Sequence, residues 1–298
     1  MIVSDAAPAQ VTLFLMTEKG YRVLQHIVAR LDKSAVALVV GARDKHLYND
    51  YFAEISALCA QENIPFQDRG SPRGAPSAYA LAVAWRWLIA DAGLLVVLHD
   101  SLLPRYRGFA PLVNCLVNGE PEIGVTACYA AAEFDGGPVL AQAARPVRYP
   151  IRIAEAIELA IECYLELVAQ LWPGLQAGQL PAGTPQRETD ATYSLWRDEQ
   201  DYRIDWHRDS AYLRRFVDAL GRPYRGASTL LGNKLYRVLA AEAAPDVVVE
   251  NRVPGKVLFL REGQPVVVCG TGLLRLTALR TDAGAEALPL RRLRSRFM

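Results

Sequence analysis

The sequence lacks the features that mark several large protein classes. No apolar run approaches the roughly 20 residues of a membrane-spanning helix; the longest, such as 79–85 and 93–98, are far shorter. The first residues carry Asp5 and no basic-then-apolar signal pattern, so the chain is expected to be cytoplasmic and without a membrane partner. Cysteine is sparse. Cys59, Cys115, Cys128, Cys163 and Cys269 are scattered without a Cys-x-x-Cys pair, which predicts buried, reduced thiols and neither a disulfide framework nor a metal site. An excess of one charge is also missing. Lys and Arg number 33 against 32 Asp and Glu, a formal net charge of +1, so nothing draws the chain in general to nucleic acid or to an anionic membrane. There is no internal repeat and no low-complexity tract.

What is present is an ordinary globular composition, 51% hydrophobic and 22% charged, in 298 residues, enough for one large domain and a smaller one. The first half alternates short apolar runs with segments of helical spacing. Residues 11–16, 35–40, 79–84 and 94–98 read as buried strands, and 64–66 as a short extended piece. Residues 19–30, 50–61 and 111–116 read as helices, the last ended by the turn pair Asn118-Gly119. Residues 124–129 and 137–147 look like closing strands. A long helix over 153–171 is expected to stop at Trp172-Pro173-Gly174. Alternation of this kind predicts an α/β fold, a mostly parallel sheet with helices on both faces.

Residues 174–205 read as a linker, with Tyr193, Trp196, Tyr202 and Trp206 as aromatic groups that could pin its second part. Beyond it the pattern changes to a helix over 210–220 and short strands over 235–240, 255–260, 265–269 and 273–279, which suggests a small barrel or open sheet. The basic tail 291–296 reads as a solvated, frayed end.

The most informative stretch is His99-Asp100-Ser101-Leu102-Leu103-Pro104-Arg105-Tyr106-Arg107-Gly108. It places a histidine just past the carboxyl end of a probable central strand, the edge where open α/β sheets hold their ligands. Asp135 follows in a loop with Gly136 and Gly137, which permit close backbone approach. A histidine titrates near neutrality and suits proton transfer, and a carboxylate beside it orients the ring. Taken alone, the two residues fit a capped turn and a satisfied core histidine as well as a catalytic pair.

The order and spacing of Ser101-Leu102-Leu103-Pro104, Arg107-Gly108, Pro111, Gly119-Glu120, Gly124-Val125-Thr126 and Asp135-Gly136-Gly137 resemble the formyltransferases that use 10-formyltetrahydrofolate. Ile204-Asp205-Trp206 and Pro223-Tyr224-Arg225-Gly226-Ala227 resemble the linker and the start of the C-terminal domain in methionyl-tRNA and sugar formyltransferases. The resemblance implies a Rossmann-like catalytic domain over 1–185, a linker over 186–206 and an OB-like C-terminal domain over 207–298. It implies an N-formyltransferase with 10-formyltetrahydrofolate as cofactor. His99 and Asp135 would be catalytic, His99 handling the proton and facing the oxyanion. Residues 84–89 resemble the folate-binding loop. The cofactor contacts implied are Trp85, Arg86, Trp87, Leu88, Ile89, Ser101, Leu102, Leu103 and Asp135, with the pterin edge on backbone groups, so that the Arg86 side chain would matter little.

Two positions depart from the family. Val97 stands where the family has an asparagine whose amide reaches the formyl oxygen, and Cys128 where several relatives carry a second histidine. Asp100, Ser101 and Asn114 are nearby candidates for a substitute donor. The stretch Gly41 to Tyr51 is of mixed charge and few glycines, unlike the glycine- and lysine-rich insertion of methionyl-tRNA formyltransferases. It looks more like sugar N-formyltransferases of surface-polysaccharide pathways. His-Asp-Ser-Leu-Leu-Pro followed by Tyr-Arg-Gly-Phe-Ala-Pro is similar to those of the pseudaminic acid pathway. The expected acceptor is therefore the amine of a nucleotide-linked amino sugar, and near-neutral charge speaks against tRNA. A methionyl-tRNA formyltransferase and a family member of weak or altered activity stay open. Arg105, Tyr106 and Arg107 read equally as contacts to an anionic acceptor or as a solvated basic loop. A homodimer through the C-terminal half is also left open.

Overall fold

A computed structural model describes residues 9–71, 77–89 and 93–298. The chain divides into two compact units. One comprises Met1–Pro111, Glu122–Pro146 and Ile157–Ser194, the other Leu112–Pro121, Val147–Ala156 and Leu195–Met298. Among the described residues no helix is long and apolar enough to cross a membrane, and no group of side chains could hold a metal ion.

In chain order the elements before the second sheet are β1 (Val11–Leu15), α1 (Thr17–Arg30), β2 (Val36–Gly41), α2 (Phe52–Gln61), β3 (Phe66–Asp68), β4 (Tyr79–Val83), β5 (Leu94–His99), β6 (Arg107–Gly108), α3 (Pro111–Asn118), β7 (Glu122–Tyr129), β8 (Val139–Pro146), α4 (Ile153–Ala177) and β9 (Tyr193–Ser194). Seven of these strands form the first unit's main sheet, in the order β3-β2-β1-β4-β5-β7-β8. The first five are parallel, and β7 and β8 close the sheet antiparallel. β1 is buried throughout, as a central strand covered on both faces must be. The chain winds outward from β1 to β3, then returns to place β4 on the other side of β1. That reversal opens a crevice at the carboxyl ends of β1 and β4, the usual ligand site of such a sheet.

Small side chains shape one face of this sheet. Ala80 and Ala82 on β4 sit with Phe14 and Val40 in one apolar cluster, and Trp85, Ile89, Leu95 and Val97 pack against it. The alanines leave a shallow trough over β4 that the two larger side chains after the strand fill.

The long helix does not stop at Trp172-Pro173-Gly174. α4 runs through Pro173 to Ala177. Burial of Trp172 and Leu175 offsets the missing amide, and the Trp172 indole donates to the Asp32 carbonyl at 3.1 Å. The end falls at Gly178, whose φ of +67° is the left-handed turn that closes many helices.

The second unit holds α5 (Ser210–Ala219) and a five-stranded antiparallel sheet of β10 (Ala227–Leu231), β11 (Lys234–Ala244), β12 (Val257–Arg261), β13 (Gln264–Val268) and β14 (Leu273–Thr281), ordered β10-β11-β14-β13-β12. Asp209 caps α5, accepting from the Tyr212 amide at 2.8 Å. Two-residue turns join β10 to β11 and β12 to β13, and Glu262 and Gly263 both take positive φ, as such hairpins require.

The basic tail is not frayed. Leu230 and Met298 exchange backbone hydrogen bonds of 2.7 and 2.8 Å, and Val257 donates to Ser295 at 3.0 Å. The tail thus ties β10 to β12, the two edges of the sheet, and covers groups that would otherwise lie bare. Phe297 anchors it, fully buried against Trp206. Of the linker aromatics, Trp206 is buried, with its indole on Thr229, while Tyr193 and Trp196 are exposed.

Asp218 on α5 makes a pH prediction. Burial pushes its carboxyl up to about 6 from 3.8, although Arg214 lies 3.7 Å away. The folded state therefore holds the proton more tightly than the unfolded chain. Stability contributed by this site is lost as pH rises between those two values. Asp218→Asn should raise stability at neutral pH by about 1–3 kcal/mol, and the gain should vanish in acid. Urea unfolding at both pH values checks this; an equal effect at both would contradict it.

Candidate active site

His99 is the last residue of β5, and its side chain is buried, 8% exposed. Its Nε2 lies 2.8 Å from the Tyr106 carbonyl oxygen. A carbonyl only accepts, so Nε2 carries the proton. Nδ1 faces Asp135 Oδ1 at 3.4 Å. The structure brings together the two residues that sequence reasoning pairs. Both ring nitrogens are engaged by the protein, however. The Nε2 proton points at a backbone carbonyl, so the ring does not face an oxyanion in this arrangement.

Asp135 is held from both sides. Its Oδ2 accepts from the Gly108 amide at 2.8 Å, and the residue sits at φ +55°, which aspartate tolerates better than most side chains. The glycines after it differ in role. A Cβ on Gly137 would come within 1.8 Å of the Tyr129 carbonyl oxygen, so only glycine fits; Gly136 has room. Gly108 also needs to be glycine, at φ +98° and against the Ser194 carbonyl.

The turn between His99 and Gly108 is fastened from within. Ser101 Oγ donates to the Arg105 carbonyl at 2.7 Å. Thr126 Oγ1 donates to the Ser101 carbonyl at 2.6 Å and accepts from the Leu103 amide at 3.0 Å. Ser101 and Leu103 are buried and Leu102 is half-buried. The Ser101 hydroxyl is therefore spent on the turn. Behind His99, Asp100 pairs with Lys19 of α1 and accepts from the Tyr164 hydroxyl of α4 at 2.8 Å. Burial, with the Asp100 carboxylate beside it, pushes that tyrosine well above its ordinary range, so it stays a neutral donor.

Arg107 corrects an expectation. It is buried and forms a two-pronged pair with Glu188, 2.8 Å at each prong, and its Nη2 donates to Gln186 Oε1 at 2.9 Å. It is neither solvated nor free to meet an anionic acceptor. The Gln186 amide continues the chain of bonds, donating to the Asp135 and Gly137 carbonyls at 2.6 and 2.7 Å. Gln186 and Glu188 were missed by sequence reasoning, which read their segment as linker. β6 pairs in parallel with β9, so this strap lies directly on the catalytic turn. Nothing local in the sequence marks a glutamine that acts across 51 residues.

Trp85, Trp87 and Ile89 are half-buried, and Arg86 and Leu88 exposed, in the loop after β4. This loop meets the conditions for holding a planar heterocycle: an apolar strip beside His99 and backbone groups of 85–89 with no hydrogen bond to other described residues. Arg86 is not idle. It pairs with Asp44, whose side chain is 1% exposed, and so ties the loop after β4 to the loop after β2. Arg86→Ala would leave Asp44 Oδ2 without its partner, with the His46 amide still on Oδ1. We expect a loss of about 1–3 kcal/mol in stability, less than for a fully buried pair because Arg86 is partly solvated, together with weaker folate binding. Adding Asp44→Asn should recover part of both. Equal losses in the single and double variants, by thermal melting and ligand titration, would contradict the pairing.

Val97 and Cys128, the two departures from the family, lie opposite each other on β5 and β7. His99 and Thr126 form the next pair in register, on the same face. The departures are thus one local change, a small apolar contact beside His99. Burial, and then Asp135, push the Cys128 thiol up to about 12, which keeps it protonated.

Comparison with known proteins bears on the family and the fold. The fold resembles HypX from Aquifex aeolicus in complex with tetrahydrofolic acid at 18% identity and TM-score 0.60, over 92% of this chain and 44% of that one. The chain spans about half the length of the HypX structures it matches. An N-formyltransferase from Helicobacter canadensis, in complex with folinic acid and dTDP-3-aminofucose, matches at 11% identity and TM-score 0.65, over 92% and 99% of the two chains. Methionyl-tRNA formyltransferase from Clostridium thermocellum matches at 16% identity and TM-score 0.54, over 79% and 94%. The formyl transferase family pattern matches residues 78–157, and its C-terminal domain pattern matches residues 197–291. With the two patterns spanning more than half of the sequence and both carried on the corresponding fold, the chain belongs to the formyl transferase family.

Proposed function

We propose that this protein transfers a formyl group from 10-formyltetrahydrofolate to the amine of a nucleotide-linked amino sugar, in surface-glycan or pseudaminic acid biosynthesis. The observation that carries the reading is the His99–Asp135 pair at the carboxyl edge of the parallel sheet, on the same edge as an apolar loop whose backbone groups have no hydrogen bond to other described residues. The Helicobacter structure, with its folate and its dTDP-linked amino sugar, supports the same donor and acceptor classes.

In such a transfer the acceptor nitrogen forms a bond to the formyl carbon and the bond from that carbon to the folate nitrogen breaks. One proton leaves the acceptor amine, and the folate nitrogen gains one. His99 is the group suited to move it. The Asp135 carboxylate stabilises the ring while both nitrogens carry protons, and the Tyr106 carbonyl holds Nε2–H until substrate replaces that contact.

The test is a panel of nucleotide-linked amino sugars, including a dTDP-linked 3-amino sugar, incubated with protein and 10-formyltetrahydrofolate and read by mass spectrometry. Methionyl initiator tRNA forms a separate arm. Formylation of a sugar is expected; formylation of the tRNA alone would replace this reading.

A further inference from the structure

We infer that the indole N–H of Trp85 is the hydrogen-bond donor to the oxygen of the formyl group as it gains negative charge, an assignment that rests on the formyl-transfer reading above. Acyl transfer needs a donor aimed at that oxygen, in a site where the donor has no competing partner. The side chains on and around β5 do not qualify. The His99 Nε2 proton is directed at the Tyr106 carbonyl, and once substrate displaces that contact the ring is committed to the proton transfer, while Nδ1 faces Asp135. Ser101 Oγ is committed to the Arg105 carbonyl. Val97 has no polar atom, and Cys128 offers only a weak S–H donor.

Trp85 differs from all of these. Its Nε1 is excluded from solvent and has no hydrogen-bond partner among the described residues. The ring is fixed edge-on by Phe14, at 5.2 Å between centroids, and by Trp87, at 5.4 Å. It packs on the Ala80 and Ala82 cluster, as Val97 does. Register brings it to the same edge of the sheet as His99. Ala82 is opposite Val97 and Val83 opposite Leu98, so β4 ends level with the residue before His99, and Trp85 is the second residue beyond that end. A buried N–H without an acceptor costs about 1–3 kcal/mol. That cost is removed when a ligand brings an acceptor. Indole donates and never accepts, which suits an oxyanion and not the incoming amine.

The test measures single-turnover formyl transfer in the full chain. Trp85→Phe keeps the ring and deletes the N–H. It should lower the rate by roughly 10²–10³ and change the affinity for tetrahydrofolate, which has no formyl oxygen, by a much smaller factor. Val97→Asn should restore at least about tenfold in the Trp85→Phe background, because position 97 lies on the same face beside His99, yet give no gain in the wild type. A near wild-type rate for Trp85→Phe, or an equal loss of tetrahydrofolate affinity, would overturn the assignment. So would a large gain from Val97→Asn alone, since it would show that the wild-type site has no donor. A wild type that transfers formyl to no acceptor would instead overturn the function on which the assignment rests.

Discussion

Replacing His99 by alanine should leave the fold intact and lower formyl transfer by roughly 10²–10⁴, the range for loss of a positioned acid–base group. The ring makes one hydrogen bond, to the Tyr106 carbonyl, and a 3.4 Å contact with the Asp135 carboxylate, and it is not packed between core elements by either. Its removal therefore costs chemistry more than stability. Circular dichroism and a thermal melt would check the fold, and turnover the chemistry. Near wild-type turnover would remove His99 from the reaction.

Asp135→Asn should be nearly as damaging, by roughly 10² or more. Asparagine can still accept from the Gly108 amide, so the loop should keep its course. What it loses is the negative charge beside Nδ1. An amide group there also can donate to Nδ1, favouring a ring that lacks the proton which the second step must return. Imidazole ¹⁵N shifts in the wild type and the variant should report different protonation at Nδ1. Identical shifts with reduced activity would mean that Asp135 acts on something other than the histidine.

The sequence reveals most of the main sheet because its strands are covered on both faces and read as plain apolar runs, as in β1 and β5. α5 is legible for the opposite reason, an apolar stripe behind an aspartate cap. The failures have physical causes. Pro173 signals a helix end, but tertiary burial of Trp172 and Leu175 outweighs one absent hydrogen bond. The arginine-rich tail looks solvated because its side chains are, while its backbone completes a sheet edge, and backbone pairing leaves no mark on composition. β10 passes unnoticed because Ala227–Leu231 carries no alternation.

The site divides in the same way. His99 and Asp135 are visible through their motifs. The groups that hold them, the Tyr106 carbonyl, the Gln186 amide and the buried Asp44 beneath Arg86, act through backbone atoms or across long loops. Only the fold brings them together. The fold also shows that Val97 and Cys128 face each other, so that two separate departures from the family become a single apolar substitution beside the histidine.

The account turns on His99 passing a proton between the acceptor amine and the folate nitrogen. The most direct measurement is single-turnover release of tetrahydrofolate from 10-formyltetrahydrofolate with an accepted amino sugar, in wild type and in His99→Asn. The account predicts a formylated sugar and stoichiometric tetrahydrofolate from the wild type, and a rate lower by at least about 10² in the variant with folate affinity retained. Equal rates in the two proteins, or formyl transfer that needs neither His99 nor the folate donor, would contradict it.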